Sequence, residues 1–196
     1  MMANYLVANK EKTKLLIFDP YRHEDTQHRN IRIGDNAIAE SQCEKVLGLC
    51  ISNDLRWVDH VQHIKTSLLH RTSVLRRLAN AVPQEYLRQL ADGLVLSKIR
   101  YCVDVYGGAV RTNETAPIDG TIQPLEVAVN DVMRIITGVR RKDGVSIREL
   151  RERTTIPSVN QMRAQAIITN TWKIVHKKST GLENMLDHLD GSGMET

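Results

Sequence analysis

Two hydrophobic rhythms divide this chain. In residues 1–53 apolar positions come in short runs or alternate with polar ones. Leu15-Leu16-Ile17-Phe18 stops at Asp19-Pro20, Ile31-Arg32-Ile33 alternates up to Gly34-Asp35-Asn36, and Ala37-Ile38-Ala39 resumes behind that turn. Val46-Leu47-Gly48-Leu49-Cys50-Ile51 is a third run, closed by Ser52-Asn53-Asp54. These runs predict strands, and residues tolerant of positive φ at 34–36 predict that Ile31–Ile33 and Ile38–Glu40 pair as a hairpin. Tyr21 to Asn30 is polar and aperiodic, the pattern of a loop.

From Trp57 onward the period lengthens to that of a helix. Trp57, Val61, Ile64, Leu68, Leu75 and Leu78 share one sector at about 100° per residue, with Asp54 placed as a cap or first-turn acid. The other side carries Gln62, His63, Lys65, His70, Ser73, Arg76 and Arg77. Pro83 opens a second helix whose stripe is Leu87, Leu90, Ala91, Leu94 and Val95, running on toward Ile99 and Tyr101 and ending at Gly107-Gly108. Pro124 starts a third, with Leu125, Val129, Val132, Met133 and Ile136 on one face and Gly138 at the left-handed cap position. Ser146-Ile147-Arg148-Glu149 matches a capping box and begins a short helix. Pro157-Ser158 opens the last, in which Ala164, Ile167, Ile168, Thr171, Trp172 and Val175 form a broad apolar face.

The fold class that follows is α+β, mainly α: a small N-terminal β-hairpin or sheet region, then a bundle of about five helices. The segments are 1–53 (β), 54–108 (helices), 109–121 (an exposed loop rich in Thr, Asn, Pro, Asp and Gly), 122–178 (helices) and 179–196 (a flexible tail). Composition agrees, since 196 residues with 41% apolar but only 4% aromatic must build a core from aliphatic side chains, which suits packed helices.

Charge changes the picture little. Lys and Arg number 27 against 23 acids, a net +4 and a sequence pI near 9.0, which permits nucleic-acid binding without requiring it. Cys43, Cys50 and Cys102 are an odd set with no C-x-x-C pair, so the expectation is reduced thiols in an intracellular, cytoplasmic or nuclear, compartment. The start lacks a basic region followed by a long apolar run, and no stretch reaches the roughly 18 apolar residues that span a bilayer, so no membrane role is expected.

Candidate chemistry is thin. Asp19, Asp25, Asp35 and Asp54 sit beside Pro, Gly, Asn or polar loop residues, where turn and cap roles explain them better than paired metal binding. Cys43, Cys50, His60 and His63 are the right residue types for zinc in a poor spacing, and no metal site is expected. No G-x-S-x-G, Walker loop, G-x-G-x-x-G or H-E-x-x-H occurs. Lys65, Arg76 and Arg77 on the polar side of the Trp57 helix, with Arg71 nearer its boundary and Lys98 and Arg100 ending the next helix, form a face that either lies along phosphates or is merely solvated.

Several segments carry a family likeness. Asn9-Lys10-Glu11-Lys12-Thr13, Lys45-Val46-Leu47-Gly48 and Leu55-Arg56-Trp57-Val58-Asp59-His60 follow one another in the order N-x-x-K-T, K-x-L-G, L-x-W-x-x-H. Arg76-Arg77-Leu78, Ser97-Lys98-Ile99-Arg100-Tyr101, Val105-Tyr106-Gly107 and Asn130-Asp131-Val132-Met133-Arg134-Ile135-Ile136-Thr137-Gly138 continue the pattern. In this order the chain resembles the C-terminal part of the reverse transcriptase of non-LTR (LINE-type) retrotransposons, downstream of the catalytic Y/F-x-D-D turn. Leu125-Glu126-Val127 departs from the family's usual Leu-Gln start.

The resemblance implies the end of a palm and a primer grip over residues 1–53, thumb-like helices over 54–108 and a helical extension beyond. It implies that Lys12 is the family's general-acid candidate in an intact polymerase and that Gly48 lets backbone approach a primer terminus. Primer-template nucleic acid is the implied partner of Lys12, Gly48, Lys65, Arg76, Arg77, Lys98 and Arg100, and magnesium the cofactor of the intact enzyme. This chain contains no Asp-Asp pair, so no cofactor and no nucleotide transfer are expected of it alone. The alternative is a non-enzymatic helical module, derived from such an element, that binds nucleic acid or protein. Opening strands without palm partners would also expose edges through which the chain self-associates.

Overall fold

The computed structural model describes residues 9, 12–18, 30–34, 36–107 and 120–176. Most of the expected 109–121 loop, the 179–196 tail, and Asp19, Asp25 and Asp35 lie outside them. The described residues are mainly helical behind two small β-hairpins, the α+β, mainly α class that the hydrophobic rhythm predicts. Contacts divide the chain into two compact units, Met1–His63 and Ile64–Thr196, and the division falls inside the first helix.

In the first unit β1 (Asn30–Ile33) pairs antiparallel with β2 (Asn36–Ala39), Ile31 opposite Ile38 and Ile33 opposite Asn36, around Gly34 at φ +59°. This is the expected hairpin. Ile38 is buried while Ile31 and Ile33 remain exposed on the other strand. Leu15–Phe18 is not a strand: only Leu15 bridges, in parallel, to Glu40, and Phe18 is exposed.

The apolar run Val46–Ile51 is also not one strand. It is cut by a turn at Leu47 (φ +48°) and Gly48 (φ +87°), so that β3 (Cys43–Val46) folds back on β4 (Leu49–Ser52) with Val46 opposite Leu49. Two consecutive positive φ values are the signature of the tightest hairpin connection, and Gly supplies one of them without steric cost. The fold-back brings Cys43 and Cys50 to a Cα separation of 6.4 Å, and their sulfurs are bonded. The expectation of three unpaired thiols therefore fails for these two. Cross-strand neighbours need no C-x-x-C spacing, and among the described residues Cys102 alone is free.

Helix α1 (Val58–Leu78) buries Val61, Ile64, Leu68 and Leu75, with Trp57 and Leu78 half-buried at its ends. The second expected helix is interrupted. After α2 (Gln84–Ala91) the backbone widens into a π-turn over Asp92–Leu96, resumes as α3 (Ser97–Arg100), and breaks at Cys102, φ +53°, before α4 (Val103–Tyr106). The wide turn inserts extra backbone and rotates the buried stripe. Leu87, Ala91, Val95, Leu96, Ile99, Val103 and Tyr106 are therefore inside, while Leu90 and Leu94 are only half-buried and Tyr101 faces solvent.

Helix α5 (Gln123–Thr137) matches its pattern at every apolar position: Leu125, Val129, Val132, Met133 and Ile136 are buried, and Gly138 caps it at φ +70°. Beyond a 3-10 turn at Arg141–Asp143, α6 (Ile147–Thr154) is capped by Ser146, whose hydroxyl accepts from the Glu149 amide at 3.2 Å. The box is completed instead at α7 (Val159–Val175). There Ser158 Oγ accepts from the Gln161 amide and Gln161 Oε1 from the Ser158 amide, at 3.1 and 2.8 Å. α7 buries Val159, Met162 and Arg163, but the apolar face expected along its later turns is largely exposed.

Candidate nucleic-acid interface

The signature segments have local structural reasons. Asn9 closes a tight turn: its carbonyl accepts from the Lys12 amide, the Thr13 amide and the Thr13 hydroxyl at 3.2, 3.0 and 2.8 Å. Thr13 therefore serves the backbone, and Lys12 is left exposed in the first unit. Gly48 sits beside Leu47, which projects 86% exposed from the tip of the β3–β4 hairpin. A left-handed leucine with no burial to compensate costs about 1 kcal/mol.

His60 is 2% exposed. Its Nδ1 accepts from the Cys50 amide at 3.2 Å, and its ring lies edge-on to Trp57 at 6.1 Å. The L-x-W-x-x-H spacing thus ties the start of α1 to β4, with His60 as the hydrogen-bond acceptor. Asp54 does not cap α1. It accepts from Ser52 Oγ and from the Arg56 amide at 2.6 and 2.9 Å, and these two donors, Ser52 first, hold its carboxyl below the ordinary carboxylate range. Among the described residues no group of three or more His, Cys, Asp or Glu side chains is placed to hold a metal ion.

The basic residues separate into used and unused. Arg71 is a clamp: its guanidinium donates to the Leu94 carbonyl at 3.0 Å and to Ser67 Oγ at 3.3 Å, so α1 is fastened to the π-turn. Arg100 pairs with Asp92 at 2.8 Å, and Lys98 is half-buried. Arg76 and Arg77 are exposed, Lys65 half-buried, and none of the three has an ion-pair partner among the described residues. Asp59 is the one acid of α1, at its opposite end. At about 100° and 1.5 Å per residue, Lys65 and Arg76 lie within about 20° of one line and roughly 16 Å apart. That is close to the span of five phosphates of one strand at about 3.4 Å each.

Sequence reasoning missed the buried charges. Glu126 is 4% exposed. Its Oε1 accepts from the Val159 amide at 2.7 Å, satisfying the free amino end of α7, while Oε2 pairs with Arg151 at 3.0 Å. Arg163 is buried against Gly107, where a Cβ would collide with its side chain and with the Val103 carbonyl. Tyr106 is buried and donates to the Ile99 carbonyl. Burial, with Cys102 and Asp104 nearby, pushes its phenol well above the usual range.

No helix among the described residues is long and apolar enough to cross a membrane. In comparison with known proteins, the chain matches no family model, no curated protein and no solved structure.

Proposed function

We propose that the chain is the primer-grip and thumb-like part of a non-LTR reverse transcriptase, holding primer-template nucleic acid without the catalytic carboxylates. The observation that carries this reading is the unpaired pair of cations Lys65 and Arg76 along one line of α1, with unpaired Arg77 about 100° around from Arg76, on a helix that carries one acid and follows the L-x-W-x-x-H segment. A phosphate-tracking ridge gives affinity without sequence choice, which is what a surface holding any primer-template requires. Lys98, in the same unit, is a secondary contact, and Lys12 and the Gly48 turn are contacts that the first unit would make by itself. Arg100 is the weakest of the set because Asp92 already holds it.

The test is salt dependence. Affinity for a primed RNA template should fall steeply between 50 and 200 mM salt, and reversing Lys65, Arg76 and Arg77 together to Glu should flatten the log–log slope by about 3. Arg76 and Arg77 are exposed and Lys65 half-buried, and none has an ion-pair partner among the described residues, so circular dichroism should be unchanged and confirms that the variant is folded. An unaltered slope in a folded triple variant rejects the ridge. Absence of binding at low salt in the unmodified chain supports the alternative, a helical module that binds protein.

A further inference from the structure

The β3–β4 hairpin carries its covalent bond where a small reagent can reach it. Cys43 and Cys50, separated by 7 in sequence, are joined, and both are only half-buried. Across the ladder Cys43 stands opposite Ser52 and Cys50 opposite Lys45, so these four side chains share one face and the bond runs diagonally between the strands. The exposed Lys45 thus sets an ammonium on the face of both sulfurs, and a neighbouring cation favours the thiolate through which thiol exchange proceeds. Among the described residues β3 and β4 pair only with each other, and Val46 and Leu47 at the tip lie in water.

β4 in turn holds the start of α1. The Cys50 amide donates to His60 Nδ1 at 3.2 Å, and Ser52 Oγ lies 2.6 Å from both the Asp54 carboxylate and the Arg56 carbonyl. β4 is therefore tied to β3 through sulfur on one side and to the first turn of α1 through hydrogen bonds on the other. A cross-link closing so short a loop constrains the unfolded chain little, so its effect is local order rather than global stability. We propose that the Cys43–Cys50 bond is a thiol-reversible latch: closed, it fixes β4 and the His60 contact; opened, it loosens the hairpin and the first turn of α1. The exchange balances with an external dithiol. One thiolate of the reductant attacks a protein sulfur, the other protein sulfur leaves and takes up a proton, and the second reductant thiol resolves the mixed disulfide. The protein gains two electrons and two protons while the reductant closes its own disulfide. All of these residues belong to the first unit, and the latch acts whether or not the chain holds nucleic acid.

The experiment equilibrates the full chain with dithiothreitol at graded ratios of reduced to oxidised form, alkylates free thiols after a denaturing quench for mass spectrometry, and measures hydrogen exchange at both extremes. Cys43 and Cys50 should become labelled together in one two-electron step without denaturant, while Cys102 is labelled throughout. On reduction, amides of 43–52 and 58–61 should exchange at least about tenfold faster, with α5 unchanged. The double variant Cys43→Ser/Cys50→Ser should exchange fast in either buffer, and Cys102→Ser should switch as the parent does. Two free thiols at every ratio overturn the proposal, as does a bond that opens only in denaturant. Opening that leaves exchange at 58–61 unchanged overturns it as well, by showing no hold on α1, and so does oxidation to a covalent dimer in place of the internal bond.

Discussion

At the scale of single residues, the positions that matter most for stability are those whose neighbours leave no latitude. Gly107 is one. An added Cβ meets both the buried Arg163 side chain and the fixed Val103 carbonyl, and backbone cannot step aside as a side-chain tip can. Gly107→Ala should therefore lower unfolding free energy by about 1–3 kcal/mol, read from the urea midpoint, although alanine is otherwise the better helix-end residue. A midpoint equal to the parent's would show that Arg163 relaxes freely. Glu126 is the other. Glu126→Ala strands Arg151 and the Val159 amide and should cost about 3 kcal/mol, at the lower end for a broken buried pair because Arg151 is 25% exposed. Glu126→Gln keeps an acceptor for the Val159 amide and should cost nearer 1 kcal/mol. Equal losses in the two variants would mean that the charge, not the hydrogen bond to α7, is what counts. Neither role was legible in sequence, because a glutamate in a helix reads as solvated until its partners, 25 and 33 residues away, are known.

At the scale of elements, periodicity read correctly where burial was one-sided and local. α5 is the clear case, with a proline in its first turn, five apolar positions on one face and a left-handed glycine at its end. The same reasoning misread Val46–Ile51, because continuous apolar character fits one strand or two strands joined by a tight turn equally well. What decides is backbone conformation at Leu47 and Gly48. Leu47 is nearly fully exposed, so replacing it with glycine loses no packing and removes the left-handed penalty. Leu47→Gly should raise stability by about 0.5–1 kcal/mol after the entropy cost of glycine. Leu47→Val should lower it, and thermal melting of the two variants checks the order. In the second helical stretch the miss had a different origin. The π-turn at Asp92–Leu96 advances the buried face, and Arg71 and Ser97 bond to carbonyls in that turn, Leu94 and Gly93, contacts that no period within the stretch announces.

At the scale of the whole molecule, the two units differ in how much apolar surface they enclose. Among the described residues of the unit before Ile64 the buried apolar side chains are Ile38 and Val61, and β1–β2 leaves Ile31 and Ile33 in water. The second unit encloses a continuous aliphatic core from α1 through α7. Amides of β1 and β2 should exchange through inexpensive local openings, and those of α5 only at the cost of global unfolding. Hydrogen exchange on a dilute monomer reads this directly, and equal protection in β1–β2 and α5 would contradict it. By itself the sequence determined the class, the first hairpin, the faces of α1 and α5, the Gly138 end of α5 and the Ser146 cap of α6, because each follows from forces acting within a few residues: sterics at φ, orphan amides at helix ends, and one-sided burial. The tertiary structure alone decided that Val46–Ile51 turns back, that Cys43 meets Cys50, that the stripe of the second helix rotates, and that Glu126 and Arg163 are buried. Each of those depends on side chains distant along the chain, or on a backbone dihedral that hydrophobic pattern does not encode.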